Sequence, residues 1–176
     1  MRLRKINGVL SLIITVMLLD HAIFQAVRML AAGKIVTGHS PMPFALLILM
    51  LVHGVICILF GILGHKGAEK RKVNSYGKLN RGALAQRVTG MLLIPLAILH
   101  AAGAAGLTHP PKAVHILLPP VFFTVTLAHV AISANKALIT LGIGSAKVVK
   151  AVGIAIKVLC ILTLAADLVG FYLYQV

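Results

Sequence analysis

Residues 44–63 read FALLILMLVHGVICILFGIL, twenty residues with no charged side chain and a single imidazole, His53. About 20 apolar residues are what an α-helix needs to cross roughly 30 Å of hydrocarbon. Lipid offers no water to backbone N–H and C=O groups, so a spanning segment must satisfy them within itself, as a helix does. Four more runs of this kind flank the first. Five spans are therefore predicted, at about 6–30, 44–63, 83–107, 115–143 and 148–174.

The rest of the composition agrees. Sixty per cent of the 176 residues are hydrophobic, only 11% are charged, and the mean hydropathy is +1.02. A soluble domain carries roughly a quarter charged residues. The expected fold is an all-α integral membrane protein, one five-transmembrane-helix bundle over residues 1–176.

A formal charge of +14 invites a nucleic-acid reading, but the placement of the charges argues against it. Seventeen Lys and Arg stand against Asp20, Glu69 and Asp167 alone, and most of the basic residues lie between the apolar runs. Arg2, Arg4 and Lys5 precede the first run, six basic residues fall between His65 and Gly82, and Lys147 and Lys150 come late. The connections at 33–43 and 108–112 carry only Lys34 and Lys112, with His39 and His109 as surface polar residues. Basic loops stay on the cytoplasmic side of a membrane. The N-terminus is expected to be cytoplasmic and the C-terminus outside, with lipid as the partner and no nucleic acid. MRLRK before an apolar stretch also resembles the start of a signal peptide, but the stretch is long, holds Asp20 and His21 and lacks a clean small-x-small site. It reads as a retained first helix. Cys57 and Cys160 both fall inside apolar runs and imply no disulfide framework.

The histidines carry the functional information. His65 and His115 sit at span ends, whereas His21, His53, His100 and His129 lie within spans one to four; span five has none. An ionisable residue within a span is costly and faces the bundle interior, where it finds a partner. Carboxylates are scarce here, so a metal is the alternative partner, taken by a neutral imidazole nitrogen while the other N–H is held by the protein. Two imidazole pairs suit two six-coordinate b-type haems, each clamped between helices. A zinc site is a weaker reading, because nothing places the four rings at one depth and no Cys accompanies them. No C-x-x-C-H occurs, which excludes c-type haem.

Span three reads Gln86-Arg87-Val88-Thr89-Gly90, then nine residues, then His100. Span one contains Leu18-Leu19-Asp20-His21, span two Leu51-Val52-His53-Gly54, and span four Ala128-His129 followed by Lys136-Ala137-Leu138-Ile139. This order of motifs resembles the dihaem cytochrome b membrane-anchor subunit of the succinate dehydrogenase and fumarate reductase family. The resemblance covers nearly the whole chain. It implies that His53 and His129 bind the haem nearer the cytoplasm, and His21 and His100 the outer one. It also implies electron transfer between menaquinone or a similar quinone and an iron–sulfur subunit joined to an FAD flavoprotein on the cytoplasmic face of a bacterial membrane. The chain itself would perform no succinate chemistry. Helix arithmetic from the likely outer ends sets His129 roughly 9 Å deeper than His100 but puts His21 and His53 at nearly equal depth, so the pairing rests on the resemblance.

Arg87, Lys136 and Lys157 are candidate partners for haem propionates, since a fixed cation is favoured beside a carboxylate in low dielectric. Asp20 and Asp167 are placed to hold a ligand ring, neighbour a quinone or, for Asp167, meet outer water. Gly8, Gly54 and Gly90 are placed either to admit a porphyrin edge or to serve helix contacts, where glycine is common in membranes. Some members of the family carry intramembrane glutamates for proton movement; no span here has one. The quinone pocket is not assignable from the motifs. Two other readings compete: a haem-containing anchor for a different flavoprotein reductase, and a haem-free bundle whose histidines line a path for protons or a small solute.

Overall fold

The computed structural model describes residues 2–32, 41–65, 77–107 and 111–174. The basic stretch 66–76 and the loop residues His39 and His109 lie outside them. Five helices follow one another: α1 Arg2–Ala32, α2 Pro41–His65, α3 Gly77–Ala104, α4 Lys112–Leu141 and α5 Ala146–Tyr174. Each contains a segment long and apolar enough to cross a membrane. The protein is a multi-pass membrane protein with five such helices among the described residues. Its outer surface is what lipid requires: Val16, Phe44, Leu84 and Leu162 all point outward.

Most helices extend a few residues beyond the expected spans, and α3 begins at Gly77 rather than near 83; three of the differing ends have a local reason. α3 stops at Ala104 rather than near Leu107, because Gly106 takes a left-handed φ of 69° and reverses the chain. α4 stops at Leu141 rather than Ile143. There Gly142 is left-handed, its N–H bonds the Ile139 carbonyl at 3.1 Å, and the Ile143 N–H bonds that of Leu138 at 3.1 Å. That pair of bonds is a Schellman closure, which satisfies carbonyls the helix end leaves open. α5 starts two residues early, at Ala146, because Ser145 caps it: its hydroxyl receives the Val148 N–H at 3.4 Å.

The packing order decides where the interior lies. α1 packs on α2, α2 on α3, α3 on α4, and α4 back on α1, so the first four helices form a closed ring. α5 packs outside it, against α1 and α4. Among the described residues the diagonal partners do not pack: α1 does not touch α3, and α2 does not touch α4. Small residues bring backbones close where helices do meet. A Cβ on Gly8 of α1 would stand 3.2 Å from Leu141 of α4, and one on Gly170 of α5 would stand 3.0 Å from Met29 of α1. The start of α1 therefore lies beside the end of α4. The end of α1 lies beside the end of α5.

Several hydroxyls inside the spans are satisfied by their own helices, whereas the buried Thr126 Oγ1 has no partner among the described residues. Thr15 bonds the Ser11 carbonyl at 2.8 Å, Ser133 that of His129 at 2.5 Å, and Thr140 that of Lys136 at 2.7 Å. This i→i−4 bonding lets polar side chains sit in lipid without an orphaned donor. Between the two ends a core of Ile14, Leu18, Leu46, Leu127, Val130 and Cys160 fills the bundle.

Candidate functional site

The ring formed by α1 to α4 encloses a cavity of about 660 Å³, within the size range of cofactor pockets. Every helix of the ring contributes along one face. α1 presents Arg4, Asn7, Gly8, Ser11, Thr15 and Leu18, a run at three- and four-residue spacing that a helix brings to one side. α3 presents Gln86, Arg87, Gly90, Ile94 and Ala97 in the same way.

His53 of α2 and His129 of α4 both line this cavity, from diagonal helices that do not touch each other. Each ring lies within electrostatic reach of the other. The two rings are held differently. His129 is placed from α3: Thr89 Oγ1 stands 2.9 Å from its Nδ1. His53 Nδ1 is buried and finds no hydrogen-bond partner among the described residues, while its Nε2 meets only the Cys57 thiol at 3.6 Å. Sulfur is a weak partner, so the protein itself leaves this imidazole's bonding capacity largely unused.

One end of the cavity is cationic. Arg4, Arg87 and Lys136 line it, from α1, α3 and α4. Lys136 Nζ donates to Gln86 Oε1 at 2.5 Å, and Lys136 lies within electrostatic reach of Arg87 and of His129. Gly8, Gly54 and Gly90 all line the cavity as well. At Gly90 the missing side chain matters most, because a Cβ there would stand 3.1 Å from Cε1 of His129. Two imidazoles from diagonal helices and a cationic end on one cavity are a donor set that fits a b-type haem with its two carboxylates.

His21 and His100 lie on the same interior stripes, beyond the cavity. His21 is three residues past the lining residue Leu18, and His100 three past Ala97. They too come from diagonal helices and lie within electrostatic reach of each other. From Gly90, level with His129, to His100 is ten residues of α3, or about 15 Å along the bundle. The two pairs thus sit one above the other. The His100 ring stacks on Phe122 of α4, with centroids 4.5 Å apart and planes 18° from parallel.

The remaining candidates separate. Lys157 is exposed on α5, which packs against neither α2 nor α3, and it is not part of the cavity lining. Asp20 is exposed beside His21. Asp167 is only 2% exposed, and its Oδ2 has no hydrogen-bond partner among the described residues. Among those residues no three or more His, Cys, Asp or Glu side chains converge, so no bare-ion site of that kind forms.

Sequence reading missed four participants. Arg4 counted only as part of a basic leader, Cys57 only as a thiol in an apolar run and Thr89 only as a motif position, and Asn7 drew no attention. The signal was present for three of them: Arg4, Asn7, Gly8, Ser11 and Thr15 repeat at helical spacing, and Cys57 follows His53 by four. No family model, curated protein or solved structure matches the chain, so the site stands on its own residues.

Proposed function

We infer that this chain is the cytochrome b membrane anchor of a succinate dehydrogenase or fumarate reductase complex. It would carry electrons between a membrane quinone, menaquinone or one like it, and an iron–sulfur subunit joined to an FAD flavoprotein. The supporting observation is that His53 and His129 line one cavity from non-touching diagonal helices, with Arg4, Arg87 and Lys136 at a single end. The succinate or fumarate assignment rests on the resemblance of the Gln86–Gly90…His100 motif and the order of the four histidines.

When bound, haem supplies a one-electron ferric–ferrous couple in a low-dielectric interior. The chain's residues account for the rest. His53 and His129 would hold one iron, and His21 and His100 a second, deeper one. Arg4, Arg87 and Lys136 would receive the propionates of the first, where a cation favours a carboxylate and the charge of each is offset. Ile14, Leu18, Leu93 and Ile94 form an apolar wall of the cavity and would keep water from a bound ring. The cationic end would be the cytoplasmic end under the positive-inside rule, with the N-terminus in the cytoplasm, the C-terminus outside and the iron–sulfur partner docked there.

The test is a dithionite-reduced minus oxidised spectrum of the purified protein, with haem quantified per chain. Two b-type haems per chain are expected. A colourless protein after expression with ample haem would overturn the reading in favour of a haem-free bundle.

A further inference from the structure

The hydroxyl of Thr89 has one hydrogen and two obvious places to put it. It lies 2.7 Å from the Ala85 carbonyl and 3.2 Å from that of Gln86, both on its own helix, and 2.9 Å from Nδ1 of His129 across the interface. A carbonyl only accepts, so the hydroxyl hydrogen goes to α3's backbone. The contact with His129 must then run the other way, with Nδ1–H donating to Oγ1. A neutral imidazole carries one N–H. With that hydrogen on Nδ1, the lone pair is on Nε2.

We propose that Thr89 is a positioning residue for His129: it fixes the ring as the Nδ1–H tautomer, keeps Nε2 available to a metal and makes that nitrogen more basic. The proposal rests on the haem reading above. Gly90, the next residue, is part of the same device, since its lack of a side chain is what lets α3 approach the ring edge. The opposite ligand has no such support, because His53 Nδ1 has no partner among the described residues. The two imidazoles that would hold this iron are therefore supported unequally, and the electronic lever would lie on the α4 side. A donated N–H on an axial imidazole adds ligand basicity, which favours the ferric state. Thr89 thus holds the potential of the His53–His129 haem below what the same pair would give unsupported.

The experiment compares wild type with T89S and T89V, purified as the full chain. Haem content, potentiometric titration and low-temperature EPR are measured on each. T89S keeps the hydroxyl, so its potential and ferric signal are expected at wild-type values. T89V keeps the shape and removes the acceptor. Its His53–His129 haem is expected to favour the ferrous state about tenfold more, an upward shift of about 59 mV for a one-electron couple, with an altered ferric g-tensor. The His21–His100 haem should not move. If T89V cannot retain that haem while T89S does, the positioning role is also supported. Unchanged potentials in T89V, an equal shift in both haems, or the same loss in T89S and T89V would each overturn it. Absence of haem from the wild type would remove the haem reading itself, an outcome separate from any difference among the variants.

Discussion

Lys136 on α4 and Gln86 on α3 are joined by a hydrogen bond of 2.5 Å from Nζ to Oε1, at the end of the cavity where Arg4 and Arg87 also lie. In sequence the two are fifty residues apart. The bond orients the ammonium at the rim of the cavity and pins two walls of the site together. It also leaves Lys136 two further donors for a bound carboxylate.

That arrangement predicts how the cations act. Reduction adds negative charge to the haem, so a fixed cation nearby favours it. At an effective dielectric near 20 and about 10 Å separation, one charge is worth about 1–2 kcal/mol. Lys136→Met and Arg87→Leu should each lower the potential of the His53–His129 haem by a few tens of millivolts and weaken its retention. Lys157→Met, on the exposed face of α5, should change neither. Potentiometric titration of the three variants checks this. A larger shift from Lys157 than from Lys136 would move the propionate site elsewhere.

Under the proposed haem reading, pairing of ligands across diagonal helices predicts a pattern of losses. His53→Ala and His129→Ala should each remove the same haem and leave one per chain. His21→Ala and His100→Ala should each remove the other. Pyridine haemochrome content, with the spectrum of the haem that remains, separates the two pairs. If His53→Ala and His100→Ala proved equivalent instead, the diagonal assignment would be wrong.

Two glycines of the cavity wall should respond differently to alanine. A Cβ on Gly90 meets His129 Cε1 at 3.1 Å, and that ring is held by Thr89 and has little room to yield. A Cβ on Gly54 also meets a neighbour at 3.1 Å, but it is Cδ1 of Ile94, the far end of a flexible side chain. G90A should displace the imidazole and reduce haem occupancy or alter its ferric EPR signal. G54A should leave both close to wild type. Side-by-side spectra at equal protein concentration decide the matter.

At the α4–α5 interface, a Cβ on Gly153 would collide with the side-chain amide of Asn135. Overpacking of this kind typically destabilises by about 1–3 kcal/mol. G153A should therefore lower thermal stability in detergent, and N135A should restore much of the loss in the double variant. A double-mutant cycle measures the coupling. Additive effects of the two substitutions would mean that the contact does not govern the packing.

The number and identity of the spans were legible because hydropathy is a local property: twenty apolar residues in lipid have no stable choice but a helix. The polar residues within the spans were legible for a related reason. His21, His53, His100 and His129 stand out because a polar ring inside an apolar run is expensive wherever the helix goes. Span ends were less legible, since they depend on backbone geometry at Gly106, Gly142 and Ser145 rather than on hydropathy. Lys136 and Lys157 are alike in sequence, each a lone cation in an apolar stretch. Which of them faces the cavity is set by the rotation of its helix and by α5 packing outside the ring of α1 to α4. The diagonal placement of the histidines, the cationic end shared by Arg4, Arg87 and Lys136, and the hold of Thr89 on His129 all join residues dozens of positions apart. No local pattern specifies such distances. They follow only once the helices have packed and α1 and α4 have closed the ring.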